Sequence, residues 1–590
     1  MARLIGILAA GLAAAALAAP AAAAPSAPLS QSGRWITDAK GRVVILHGVN
    51  MVYKKPPYDP LAAGFDAPDA RFLSREGLNA VRLGLIYKGV EPRPGSYDDH
   101  YLEQIGRTLR TLARQRVFSL LDFHQDLYNE RFQGEGFPDW AVQDDGLPAE
   151  PKLGFPGNYL GMPALNRAFD HFWNNDPGPG GVGLQDRYAA AWRHVAQRFG
   201  SEPYNMGYDL LNEPWPGDGW QTCANTEGCP LFDEQKLTPF SRRVYKRIRE
   251  SDRRRIVWYE PNVLFNNGPK THHGDIGPRA GMSFHVYCLQ DGPKPSPQDQ
   301  QQAVTCEPFE TLPFQNALAQ SARTGDATLL TEFGATDDLG QIERIEKYAD
   351  RYMTGWMYWH YCECGDPTTS GSGGTQSVVK DARKSPTGSN VKADKLAVLS
   401  RPYPQAVAGT PSGWSFDPAS NRFRLSYSTH RQGGGAFAFR ADTQIFASPR
   451  HYPHGYDVRV KGGQALSTPN ARLLTVRTCT GRSRVEVTVA PGSGRRSADC
   501  RAPRTAPTKI RVRVSPRRVA AGVRTRFRFR ATVRHGRPLR RALIRFAGHR
   551  VRTGRRGRAS LVLRLGRGGK RRVTASKHGY RRGRATVRVL

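Results

Sequence analysis

The chain has 590 residues, of which 39% are hydrophobic and 23% charged, and a formal net charge of +36. That length excludes a single ordinary core, so several domains are expected. The charge is confined: residues 501–590 hold 31 of the 87 Lys and Arg and no Asp or Glu, leaving 56 bases against 51 acids in the first 500 residues. The basic character therefore belongs to the tail and says little about the rest.

The N-terminus, "MARLIGILAAGLAAAALAAPAAAAPSAP", has a basic start at Arg3, an apolar stretch and small residues before a plausible cut near Ala24. Residues 1–24 are predicted to be a secretory signal peptide, with an uncleaved anchor as the alternative reading. No later apolar run is long enough to cross a bilayer. Secretion is expected, and eight cysteines suit an exported protein. Proximity suggests Cys223 with Cys229, Cys288 with Cys306, and Cys479 with Cys500; Cys362 and Cys364 are left without an evident partner. The spacings lack the paired C-x-x-C pattern of zinc sites.

From about residue 30 to 400 two patterns alternate. Short β-rich runs occur at "VVILHGVN", "AVRLGLIY", "FSLLDFH", "YNMGYDLLNEP", "IVWYEPN", "MSFHVYC", "TLLTEFG" and "GWMYWHY". Between most of them lie stretches of helical period, such as "YLEQIGRTLRTLARQR", "DRYAAAWRHVAQRFG" and "FSRRVYKRIRESDRR". Eight strands alternating with helices predict a (β/α)8 barrel. A doubly wound open sheet would want a Gly-rich phosphate turn after an early strand, and none is found. After "FSLLDFH" comes a long insertion, "QDLYNERFQGEGFPDWAVQDDGLPAEPKLGFPGNYLGMP", read either as a packed loop or as one wall of a substrate cleft. Residues 401–500 lose the helical period and predict a β-sandwich. In 501–590, runs such as "IRVRV" and "TRFRFRATV" put Arg on one face and apolar residues on the other, predicting a small Arg-rich, Ig-like β domain rather than disorder.

On a (β/α)8 barrel, catalytic groups stand at the C-terminal ends of the strands. Those ends supply Arg82, Asp122, His124, Asn212, Glu213, His285, Tyr287, Glu332 and Trp359. Glu213 and Glu332, read as closing the fourth and seventh strands, form a candidate acid pair. Two carboxyls with an aromatic floor are what glycoside hydrolysis needs. Arg82 and Tyr287 are expected to keep Glu332 charged, and Asn212 to hydrogen-bond a sugar 2-hydroxyl.

The motifs "LNEP", "TEFG", "DFH" and "FHVY" resemble glycoside hydrolase family 5. The longer stretches "HGVNMVYKKPPY", "AVRLGLIYKGVEPRPGSYD", "LLDFHQDLYNERFQGEGFPDWAV", "YDLLNEPWPG" and "RPYPQAVAGTP" resemble its endoglycoceramidase branch, galactosylceramide-preferring relatives included, over roughly residues 33–500. The resemblance implies Glu213 as acid/base and Glu332 as nucleophile of a retaining reaction. It implies Arg82, His124, Asn212, His285, Tyr287 and Trp359 as the surrounding shell, and Asp122, Trp140 and Lys54 or Lys55 near the first sugar. The implied substrate is a glycosphingolipid, cut between glycan and ceramide, with no metal or organic cofactor. A polysaccharide-cleaving glucanase of the same family and a non-catalytic carbohydrate- or envelope-binding protein are the alternatives. The tail lies outside the resemblance; its basic face is expected to meet anionic membrane or envelope surfaces, or to be a solvated spacer, and no specific nucleic acid is expected. A monomer is expected.

Overall fold

The computed structural model describes residues 25–287, 306–368, 374–437, 441–500, 509–533, 536–578 and 580–590. The predicted signal peptide and the partner expected for Cys306 lie outside them. The chain divides into two compact units, residues 1–500 and 501–590.

In the first unit, eight parallel strands close into a barrel. In chain order they are His47–Met51, Ala80–Ile86, Phe118–His124, Asn205–Asp209, Ile256–Tyr259, Ala280–Val286, Ala327–Phe333 and Trp356–Tyr358. The first strand pairs with the eighth, His47 opposite Trp356, which closes the ring and rules out the open sheet. The three helical stretches named above form helices Asp99–Arg114, Leu184–Phe199 and Thr238–Ser251. Each buries the apolar stripe that its 3.6-residue period lines up. In the first of these helices the stripe includes Tyr101, Leu102, Ile105, Leu109 and Leu112.

The N-terminal ends of the strands are plugged by Phe118, Leu120, Met206, Trp258, Leu329 and Met357. Leu29, Ile36 and Val44 pack into the same plug. The first apolar run is thus split between two sheets. Val43–Val44 pairs with Tyr403–Val407 in a seven-stranded sheet of the sandwich, and only His47–Met51 belongs to the barrel. The N-terminal strands therefore belong to the sandwich sheet, a pairing across some 360 residues that local pattern does not reveal. A five-stranded sheet, Thr410–Asp417 to Arg496–Ala498, completes the sandwich over one core.

The motif "RPYP" works at the junction. Arg401 is buried and pairs with Glu346 at 2.9 Å and with Asp350, both on the helix Leu339–Tyr352. The Trp414 indole donates to the same Asp350 at 2.6 Å. Cys223 pairs with Cys229, Cys479 with Cys500, and Cys362 with its near neighbour Cys364.

The second unit stacks a three-stranded sheet and a five-stranded sheet over a core of Phe527, Phe529, Ile544, Phe546, Val573 and Val587. The period-two reading of its sequence holds: strand Arg524–Thr532 buries Phe527, Phe529 and Ala531 and exposes the alternate arginines.

Candidate active site

The C-terminal strand ends converge on one buried charged cluster. Glu332 lies within the seventh strand. Its Oε1 accepts from Nη1 of Arg82 at 2.6 Å, and its Oε2 from the Tyr287 hydroxyl at 2.9 Å. Gly334 follows because a Cβ there would meet the Tyr358 ring at 2.2 Å, with φ at +97°.

Glu213 is held differently. The expected fourth strand stops at Asp209, so Glu213 stands four residues beyond it rather than on it. The intervening chain stays tied to its neighbours, Leu210 N–H to the Trp258 carbonyl and Asn212 N–H to the Phe123 carbonyl. Glu213 itself has φ +44°, left-handed for a residue with a Cβ. Such a conformation costs about 1–3 kcal/mol and persists only where the surroundings dictate it. Here the Glu213 N–H donates to Oε2 of Glu260 at 2.8 Å, and Gln125 Nε2 donates to the carbonyls of Asn212 and Glu213. The Glu213 side chain accepts from Nδ2 of Asn266 at 2.7 Å, and Nδ1 of His285 lies 2.8 Å from the same oxygen. That nitrogen is also 3.7 Å from Glu332 Oε2, so the imidazole edge serves both acids. A carboxylate oxygen of Glu213 and one of Glu332 lie within 4.8 Å of each other. Retaining glycosidases hold their two carboxyls about 5–5.5 Å apart, against about 6.5–9.5 Å for inverting ones.

Beneath the pair sits Arg82, with no exposed surface. One guanidinium reaches Glu332, Asp209 at 2.9 Å, Glu260 at 2.7 Å and Asp122 at 3.0 Å, and donates to Asn212 Oδ1 at 3.0 Å. Burial opposes its charge, but the four carboxylates outweigh burial and hold it well above the usual range. Burial pushes Glu332 above an ordinary carboxyl, with Glu213 adding to the shift and His285 and Arg82 pulling against it. Burial likewise opposes the His285 charge, and Glu260 and Glu332 overcome it, holding the imidazole well above its usual range. Burial and the neighbouring Glu332 push the Tyr287 phenol up, so it stays a neutral donor.

A second cluster adjoins the first. Lys54, not the exposed Lys55, turns inward, within 2.5 Å of Asp126, 3.1 Å of Asp366 and 3.7 Å of Glu135. Its ammonium lies 4.7 Å from the centre of the Trp359 ring, which in turn stacks on His124 at 5.2 Å. Trp359 is fixed by its indole N–H to Gln376 at 2.8 Å. Burial opposes the His124 charge, but Asp122 at 2.9 Å and Asp126 raise its pKa to about 10.

The structure thus brings together Lys54, Arg82, Asp122, His124, Asn212, Glu213, His285, Tyr287, Glu332 and Trp359. Arg82 holds Glu332 as expected. Asp122, expected near the first sugar, is fully buried and is engaged by Arg82 and His124. Trp140 stands apart. Its indole N–H donates to the Glu91 carbonyl and its ring meets Tyr87 and Arg187, not the acid pair. The insertion that carries it is packed at its root, where Tyr128, Phe132, Phe137 and Tyr159 are buried. Its outer part lines a cavity of about 940 Å³ with Lys88, Glu130, Asp139 and Leu147.

Sequence reasoning missed Asp126, Glu135, Asp209, Glu260, Asn266 and Asp366. Glu260 had a readable signal, because "YEP" closes the fifth strand as "NEP" follows the fourth. The others lie in irregular loops or inside a strand, where period carries no information. Among the described residues, three groups bring acid or His ligand atoms within 4.8 Å: His124, Asp126 and Glu135; Asp122, Asp209 and Glu260; and the catalytic pair with His285. In the first two, Lys54 and Arg82 already supply the positive charge a metal would bring.

A closed barrel with Glu213 and Glu332 this close at the C-terminal face fits a glycoside hydrolase of the retaining kind. The family comparison agrees: residues 37–365 match the cellulase domain of glycosyl hydrolase family 5, and residues 401–489 match the glycoside hydrolase family 5 C-terminal domain. The chain belongs to glycoside hydrolase family 5. Endoglycoceramidase I of Rhodococcus hoagii (strain 103S) is 33% identical over 464 residues, covering 76% of this chain and 85% of that protein. Solved structures of endo-glycoceramidase II from a Rhodococcus species, as a ganglioside GM3 complex and as a lactosyl-enzyme intermediate, are each 28% identical with a TM-score of 0.63. They cover 78% of this chain and 99% and 100% of their own.

Proposed function

We propose that this protein is a secreted, monomeric endoglycoceramidase that cleaves the β-linkage between the glycan and ceramide of glycosphingolipids and works at an anionic surface. The observation that carries the chemistry is the Glu213–Glu332 pair, oxygens within 4.8 Å, on a chain similar over most of its length to endoglycoceramidases.

Glu332 is the nucleophile. With Glu213 protonated, the repulsion that helps raise Glu332 is gone, while Arg82 and Tyr287 still donate to its two oxygens. These donors favour the ionised form. Glu332 attacks the anomeric carbon as the bond to the ceramide oxygen breaks, and Glu213 gives its proton to that oxygen. A water then enters; Glu213 takes its proton and the hydroxyl displaces Glu332. One water is consumed and both acids return to their starting state. Asn212 uses Oδ1 on Arg82 and one N–H on the Gln125 carbonyl at 3.0 Å. The second N–H is left for the sugar 2-hydroxyl. Trp359, backed by His124, offers a flat apolar face to the sugar ring.

The test compares a fluorescent ganglioside with a soluble cello-oligosaccharide, each with wild type and Glu332→Gln. Release of intact glycan and ceramide, lost in the variant, is expected. Cleavage of the oligosaccharide alone would make the protein a polysaccharide hydrolase of the same family.

A further inference from the structure

The tail unit uses its charge in a way that sequence alone did not show. In the three-stranded sheet, strand Arg524–Thr532 is central, between Arg511–Ser515 and Arg558–Arg564. The register sets Arg513 directly opposite Arg530, and Arg530 directly opposite Arg558. A row of three exposed guanidinium groups therefore crosses the sheet, with Arg524 opposite Arg564 in a second row. Along the central strand Arg524, Arg526, Arg528 and Arg530 follow at every second position, all exposed. Among the described residues of these three strands, Val562 is the one exposed large aliphatic group on this face.

The five-stranded sheet repeats the arrangement. Lys570 is opposite Arg588, which is opposite Arg518, and Arg545 is opposite Arg550. Like charges directly opposite each other destabilise a sheet. Residues 501–590 contain no Asp or Glu. The like-charge cost is therefore borne without any acid inside the unit, which leaves the rows open to an external anion.

Two observations select its form. First, the rows cover both outer faces of the sandwich. A flat bilayer meets one face, whereas a flexible chain of charges can follow both. Second, 28 of the 31 bases are Arg. The guanidinium fork matches the paired oxygens of a phosphate, and a strand rise of about 3.4 Å repeats the fork at about 7 Å along the strand.

We infer that residues 501–590 form a docking module for a linear chain of phosphate groups of the polyphosphate kind, bound by both faces, that holds the enzyme on a phosphate-rich matrix. The inference is independent of the glycolipid reading, because it concerns neither acid nor the barrel.

The experiment uses the full chain. Inorganic polyphosphate, polygalacturonate and phosphatidylcholine–phosphatidylglycerol vesicles are compared by affinity over a salt series. Two full-chain variants neutralise one face each: Arg513→Gln/Arg530→Gln/Arg558→Gln and Arg545→Gln/Arg550→Gln/Arg588→Gln. Polyphosphate is expected to bind tightest. Each variant is expected to lose about tenfold at low salt and to flatten the salt dependence. Arg513→Lys/Arg530→Lys/Arg558→Lys keeps the charge and is expected to retain the salt slope, which separates lost charge from lost fold. Turnover of a soluble glycoside serves as the folding control for the barrel, and resistance of residues 501–590 to limited proteolysis as that for the tail unit. Equal or tighter binding to vesicles or to polygalacturonate, or polyphosphate binding unchanged in both Gln variants, would overturn the inference.

Discussion

The barrel mouth and the tail use arginine in opposite ways. At the mouth, one buried guanidinium, Arg82, serves four carboxylates and is itself out of reach of any ligand. In the tail, arginines stand exposed in rows with no acid in their own unit. Burial explains the contrast. A charge in the interior is held only with its partners in place, so each pairing there is specific and costly to break. A surface charge interacts weakly with any single neighbour and acts through its number.

Substitutions can break or sharpen this contrast. The largest effect is expected for Glu332→Gln, which keeps shape but removes the nucleophile: kcat should fall at least about a thousandfold, measured on any cleaved substrate. A fall of a few fold would remove Glu332 from the reaction. Glu213→Ala should cost about 10²–10⁴-fold on a poor leaving group. On an aryl glycoside with an acidic leaving group, the first step should be largely spared and a burst of aglycone seen. Equal losses on both substrates would deny Glu213 the proton-donor role.

Arg82→Met should destabilise the protein by about 3–5 kcal/mol, because four buried carboxylates lose their shared cation. Urea unfolding measures this, and a change under 1 kcal/mol, roughly the worth of a surface pair, would mean that the network is not what the geometry implies. A smaller effect is expected from His124. Its folded pKa, about 10, lies above the ordinary value near 6.5. Its contribution to stability is therefore full below about pH 6.5 and lost as pH rises through about 10. The urea midpoint should fall between those pH values, and His124→Gln should flatten that fall. The smallest effect belongs to the tail. Arg528→Gln should leave turnover of a soluble substrate unchanged, and a change of more than about twofold would tie the tail to the reaction.

Much of the catalytic unit was legible because two periods alternate along it, and Glu332 was placed correctly because "TLLTEFG" is a strand to its end. Glu213 was found by its residue type beside Asn212 and Pro214, although the strand had already stopped at Asp209. The lower layer was legible only in its members Arg82 and Asp122, not in its closure. Asp209, Glu260 and Asp122 meet at Arg82 from separate strands or their ends, and such closure depends on the barrel's register rather than on any local pattern. The Val43–Val44 pairing with Tyr403–Val407 was hidden for the same reason. In the tail, alternation gave the buried and exposed faces outright, but the Arg-to-Arg pairing across strands needed the register.

The central claim is that Glu332 carries the sugar between the two chemical steps. Incubation with an activated 2-deoxy-2-fluoro glycoside, followed by intact mass and peptide mapping, tests it directly. One glycosyl group on the peptide containing Glu332 is predicted. A label on Glu213, or none while the substrate turns over, would contradict the account.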